Sequence, residues 1–331
     1  MAKNISITIA AGDMDRLAAI KDGRVRVEGC DVTFIPMEPE EVFFRAFRYA
    51  EFDCCELSFS SHMRVTSQNK AEYVGIPAFV SRVFRHSAFY IRTDRGITKP
   101  EDLRGKLVGL PEYQMTAPVW MRGILEDEFG IKPEEIRWRS GGQEEAGRDE
   151  RTPFEAPPGL DLQAIPQDRT LVEMFELGEL DALMTARAPS SFDLGKPNID
   201  RLWPNFREVE KEYYKKTKMF PIMHLMGLRK DLHEAYPWLA GSLYKAFVQA
   251  RDIAYEDLAK TAALSVALPW VDSERRDTVA LMGGDFWRYG IEECRHEIEA
   301  LARYSHSHGL SERLLTPEDL FAESTFDISK I

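Results

Sequence analysis

Short β-branched runs alternate with helix-patterned stretches along most of this chain, and that alternation leaves few folds open to it. Residues 5–10, 32–37, 52–57, 73–79, 87–92, 107–110, 160–165, 182–185 and 219–229 read as strands. Residues 14–21, 39–50, 116–129 and 170–177 carry helical periodicity between them, with Gly130 placed to end the third. Everything after Pro237 reads helical. Strands separated by helices predict an α/β protein of parallel sheets joined by right-handed crossovers.

The chain has 331 residues, enough for two lobes of ordinary domain size. Its formal net charge of -12 argues against nucleic acid and anionic membrane as partners. No run approaches the roughly 18 apolar residues of a membrane span. The first ten residues run straight into a strand pattern without a leader signature, so a cytoplasmic location is expected. Cys30, Cys54, Cys55 and Cys294 show no metal-type spacing and are expected as reduced thiols; no metal site is expected. The polar, aperiodic stretch 140–158 reads as a lid, an interface arm or a plain surface excursion, and it makes homo-oligomerisation plausible.

Against this acidic background, residues 81–92 (Ser-Arg-Val-Phe-Arg-His-Ser-Ala-Phe-Tyr-Ile-Arg) gather three arginines and a histidine. Arginine forks a carboxylate bidentately and histidine moves protons near neutral pH, so the cluster suits a small organic anion. Arginines flanking a strand are also commonly just solvated. In an extended stretch, Arg85 and His86 point to opposite faces and compete for any one site.

Three stretches carry a resemblance to a known family: residues 56–61 (Glu-Leu-Ser-Phe-Ser-Ser), 81–87 (Ser-Arg-Val-Phe-Arg-His-Ser) and 109–116 (Gly-Leu-Pro-Glu-Tyr-Gln-Met-Thr). With 220–224 (Phe-Pro-Ile-Met-His), 239–247 and 315–321, the chain resembles the 4,5-dihydroxyphthalate decarboxylases over nearly its whole length. The resemblance implies a two-lobed, type 2 periplasmic-binding-protein-like α/β fold with a ligand cleft between lobes. Lobe I would comprise residues 1–91 and 220–331, lobe II residues 92–219, with crossovers near 92–95 and 218–220. It also implies a cofactor-independent carboxy-lyase that takes a small aromatic dicarboxylate to a dihydroxybenzoate such as protocatechuate and CO₂. A non-catalytic aromatic-carboxylate receptor or sensor with the same fold is the alternative, as is a decarboxylase or hydrolase of another aromatic acid.

In that setting the strand-to-helix junctions acquire roles. Ser58, Ser60 and Ser61, and Tyr113, Gln114 and Thr116, would line a carboxylate with hydroxyls, amide and free backbone N–H groups, although each Ser or Thr could equally be a plain helix cap. Arg82, Arg85 and Arg187 are the candidate carboxylate forks. His224 and His86 are the candidate proton donors, and Glu112 or Glu56 the candidate acceptor for a substrate phenol. His62 could line the site or pack beside a helix, and His306 and His308 read as surface residues. No phosphate loop, Schiff-base lysine context or metal signature is visible, so no cofactor is expected.

Overall fold

The computed structural model describes residues 4–148, 155–326 and 328. In chain order its elements begin with β1 (Ile5–Ala11), α1 (Asp15–Lys21), β2 (Cys30–Pro36), α2 (Pro39–Tyr49), β3 (Cys54–Ser58), α3 (Phe59–Ser67), β4 (Tyr73–Arg82) and β5 (Phe89–Arg92). They continue with β6 (Leu107–Leu110), α4 (Thr116–Phe129), β7 (Arg137–Ser140), β8 (Leu162–Ala164), α5 (Leu171–Glu176), β9 (Ala182–Met184), α6 (Ser190–Asp193), β10 (Ile199–Arg201) and α7 (Phe206–Thr217). The last are β11 (Ile222–Arg229), α8 (Lys230–Ala235), α9 (Leu239–Leu258), α10 (Val271–Met282), α11 (Arg295–Ser307) and α12 (Pro317–Leu320).

Contacts divide the chain into two units. Unit 1 comprises Met1–Arg82, Ile222–Glu299 and Leu315–Ile331; unit 2 comprises Val83–Pro221 and Ala300–Leu314. The expected boundary after residue 91 differs from this division. Strand β5 pairs with β9 and β10, which places residues 83–91 in unit 2, and a second return of the chain adds 300–314 to it.

Unit 1 is built on a five-stranded sheet in the order β2-β1-β3-β11-β4. Strands β1, β2 and β3 are parallel, as their helical connections dictate. Strand β11 is antiparallel to both neighbours, so the expectation of purely parallel sheets is corrected. It enters from unit 2 rather than through a crossover helix of its own sheet, which frees its direction. Ile9, Leu57, Phe59, Phe79, Leu225 and Phe247 are all completely buried in its core. Unit 2 carries a six-stranded sheet, β10-β5-β9-β6-β7-β8, in which β5 is the antiparallel member beside β9 and β10. Val108, Trp120, Trp138, Phe175 and Leu180 fill its core at 0% exposure. Gly130 sits at φ 63°, the left-handed conformation that lets α4 stop there at no side-chain cost.

Two local departures from the expected elements bear on the site. The stretch expected as a strand from residue 87 begins instead as a single 3-10 turn, His86–Ala88, and Arg85 before it has φ -121° and ψ 1°. Arg85 and His86 therefore do not alternate across a strand. The stretch 140–158 starts at the end of β7 and lies in part outside the described residues.

Candidate active site

Strand pairing assembles the first cluster entirely within unit 1. On β11, His224 stands opposite Ser58 and Met226 opposite Glu56, so Glu56 and His224 share a face as diagonal neighbours. The imidazole Nδ1 lies 2.6 Å from Glu56 Oε1. A carboxylate can only accept, so Nδ1 carries the hydrogen, and Nε2 is left as the nitrogen that can exchange a proton. Glu56 is completely buried. A charge there needs partners on both oxygens, and Oε2 receives the Gly12 N–H at 2.9 Å. One carboxylate thus ties the end of β1 to β3 and β11.

The His224 ring is further set by the edge of Phe43, 4.8 Å between centroids and 79° between planes. Its side chain retains 21% exposure while Glu56 retains none. Pairing between β11 and β4 is irregular on both sides of His224, a bulge of the kind that re-aims a side chain at a sheet end. Ser58 precedes α3, and the Ser61 hydroxyl donates to the Ser58 hydroxyl at 3.1 Å. Ser60 is buried on the same first turn. Carboxylate, imidazole and two serine hydroxyls thus gather at the carboxyl ends of β1 and β3, where α/β sheets place their chemistry.

Arg82 also belongs to unit 1 but is not free for a ligand. Its side chain has no exposure, and the guanidinium contacts Glu297 Oε1 at 3.4 Å, the Arg288 carbonyl at 2.8 Å and Cys294 Sγ at 2.7 Å. The expected carboxylate fork is a buried structural ion pair. His62 is completely buried, its Nε2 3.3 Å from the Leu320 carbonyl and its Nδ1 without a hydrogen-bond partner among the described residues. Burial holds it down at about 4. It packs against the end of α12 at Leu320. Glu56, the other expected phenol acceptor, has no exposure, and its two oxygens already face His224 Nδ1 and the Gly12 N–H.

The remaining candidates lie in unit 2. His86 is buried against Trp203 and Tyr213, with ring centroids 5.2 and 5.0 Å away. Desolvation pushes it down to about 4, so it is neutral at pH 7. Arg85 is buried as well, which lowers it to about 10 against the opposing pull of Glu210. Tyr113 is fully buried beneath the Arg122 guanidinium, whose carbon sits 3.6 Å from the ring centroid and whose Nη2 donates to the Tyr113 carbonyl at 2.9 Å. Gln114 and Thr116 are buried at the start of α4, and Glu112 is half-buried just before them. Arg187 is exposed, and its carbonyl accepts from Gln143 Nε2 at 3.2 Å. His306 is exposed, but His308 is not a surface residue: it is buried, stacked on Tyr304, with Nε2 3.1 Å from Glu126 Oε2.

Among the described residues, no three His, Cys, Asp or Glu side chains gather in a way that could hold a metal ion. No helix among them is long and apolar enough to cross a membrane.

No family model matches the chain. It is 42% identical over 327 residues to a protein of Comamonas testosteroni named 4,5-dihydroxyphthalate decarboxylase, and the match covers 99% of each. A Pseudomonas putida protein of the same name is 42% identical over 211 residues, covering 64% of this chain and 82% of that one. Among solved structures, the alkanesulfonate-binding protein SsuA of Xanthomonas axonopodis pv. citri covers 98% of this chain and 99% of its own, at a TM-score of 0.52 and 11% identity. That likeness concerns fold alone, and it is a periplasmic-binding-protein-like α/β fold.

Proposed function

The chain belongs to the 4,5-dihydroxyphthalate decarboxylase family, and from that premise we propose that it is a carboxy-lyase converting 4,5-dihydroxyphthalate, or a closely similar hydroxylated aromatic diacid, to 3,4-dihydroxybenzoate and CO₂. The observation that supports a chemical role for this chain's own residues is the buried Glu56 carboxylate, which holds a partly exposed His224 through Nδ1.

Loss of CO₂ from an aromatic ring leaves an electron pair on carbon, so a proton must arrive at that carbon. The hydroxyl para to the departing carboxylate pushes electrons into the ring, and His224 Nε2–H protonates the ipso carbon. The C–C bond then breaks, its electron pair restores aromaticity, and CO₂ leaves. The proton that the para hydroxyl gives up along the way is returned when the ring rearomatises, so the sum is one proton consumed and one CO₂ released. Glu56 keeps the imidazole oriented and lies against its cationic form as a counter-charge. Ser58, Ser60 and Ser61 are proposed to hydrogen-bond the substrate. Arg85, Arg187, Glu112, Tyr113, Gln114 and Thr116 remain candidate substrate-facing groups of unit 2, exposure favouring Arg187 and Glu112 over the buried Tyr113, while His86, buried among aromatic rings, is left out of the proposed site.

The receptor reading is not favoured, because the relative that matches end to end is named a decarboxylase, whereas the binding-protein likeness is at 11% identity. The four cysteines are unpaired and buried, which fits the cytoplasmic location proposed here. A homo-oligomer is also proposed; gel filtration with light scattering checks it. Incubating the purified protein with 4,5-dihydroxyphthalate tests the main reading. Stoichiometric CO₂ and dihydroxybenzoate are expected; binding without turnover would restore the receptor.

A further inference from the structure

We propose that Arg16 is the carboxylate-binding cation of unit 1 and selects aromatic 1,2-dicarboxylates at the His224 site. This rests on the decarboxylase reading for the identity of the ligand, but not for the geometry.

Arg16 lies on α1, just beyond β1, yet its Nε donates to the carbonyl of Val80 on β4. Strand order places β3 and β11, which carry Glu56 and His224, between those two strands. Val80 adjoins Ser81, the residue paired with His224. On the β1 side, the Gly12 N–H binds Glu56 Oε2, and a Cβ at Gly12 would stand 2.8 Å from the Met14 methyl. The thioether of that same Met14 receives Arg16 Nη2 at 2.7 Å. Contacts therefore connect the guanidinium to the Glu56–His224 pair from both ends of the strand row.

The group is preorganised. Its carbon lies 4.3 Å from the centroid of the Trp287 ring, and the Trp287 indole N–H donates to the carbonyl of Phe79 at 2.9 Å. Cation and ring are thus pinned to successive carbonyls of β4. The side chain keeps 18% exposure. Asp15, half-exposed, touches Nη1 at 3.0 Å, whereas the partner of Nη2 among the described residues is a thioether sulfur, a weak acceptor that a carboxylate oxygen outcompetes. Arg82, with a buried glutamate as partner, offers no such opening. The Tyr289 hydroxyl, buried and without a hydrogen-bond partner among the described residues, feels the Arg16 charge and adds a second polar group nearby.

A ligand-truncation cycle tests this. Affinities of wild type and Arg16→Met for phthalate, which lacks the para hydroxyls needed for turnover, and for catechol, which lacks carboxylates, are measured by calorimetry. Loss of a charge-assisted contact predicts phthalate binding about 10- to 100-fold weaker in the variant, with catechol binding unchanged within about threefold. Equal losses for both ligands, or none for either, overturn the proposal. Should Arg16→Met not fold, Arg16→Lys keeps the charge but loses the fork and should weaken phthalate by an intermediate factor; undiminished phthalate affinity there overturns it equally. Wild-type turnover of 4,5-dihydroxyphthalate is scored separately, so a failed decarboxylase reading leaves the Arg16 result interpretable.

Discussion

His224 in unit 1 and His86 in unit 2 are the same residue type in opposite circumstances. His224 has a carboxylate on Nδ1 and a side chain that keeps 21% exposure; His86 has aromatic rings around it, an Nδ1 without a hydrogen-bond partner among the described residues, and a protonation equilibrium depressed to about 4 by burial. Proximity to arginines, then, does not make a histidine an acid. What does is a buried counter-charge on one nitrogen together with an accessible path to the other. Unit 1 gives His224 a buried carboxylate and a partly exposed side chain, and unit 2 gives His86 neither.

Removing the imidazole from unit 1 challenges this contrast most strongly. His224→Asn should lower kcat by about 10³-fold, within the range of a general acid combined with the orientation it provides, while phthalate affinity stays within a few fold. Steady-state kinetics beside calorimetry check it; an unchanged kcat removes His224 from the mechanism.

Acid titration comes next in size. Both His86 and His62 are neutral in the folded chain down to about pH 4, against an ordinary value of 6.5. Above pH 6.5 neither the folded nor the unfolded state binds the proton. Below it the unfolded chain protonates and the folded one does not, so stability falls as pH drops from 6.5 to about 4 and then levels. Each histidine should contribute about 3 kcal/mol to that fall. Urea unfolding at pH 7 and pH 4.5 measures it, and His86→Phe should flatten part of the slope.

The role of Glu56 has a more modest signature. A glutamine in its place would present one oxygen and one NH₂ to two N–H donors, Gly12 N and His224 Nδ1, and could satisfy only one. Glu56→Gln should therefore lower kcat by about 30-fold with KM little changed, and the downfield Nδ1–H proton resonance of His224 should move or vanish. A change confined to KM would place Glu56 against the substrate instead. The mildest outcome is the control: His86→Phe should leave kcat within about threefold. A loss on the scale of His224→Asn would erase the contrast between the two units.

Local pattern carries much of the fold. The alternation at residues 5–10, the helical spacing of Val42, Phe43 and Ala46, and Gly130 after α4 each correspond to an element of the structure. Helix α7 gives no such signal because its face is charged nearly all round, with only Tyr213 and Tyr214 buried. Strands β7 and β10 are too short for a periodic pattern. In the site, His224 is legible as a histidine entering a strand, but its pairing with Glu56 spans 168 positions and depends on register. Arg16 is silent in the sequence because its partners, Val80 and Trp287, are apolar names whose carbonyl and ring face matter only once folded.

The insertion of β11 between β3 and β4 also governs how the nascent chain matures. Until residue 229 has been made, the two halves of the unit 1 sheet each expose an unsatisfied edge, a period of vulnerability to misassociation that shorter-range folds avoid. The strand that seals this gap is also the one that bears His224. A sheet that lacks this strand therefore also lacks the imidazole that Glu56 holds.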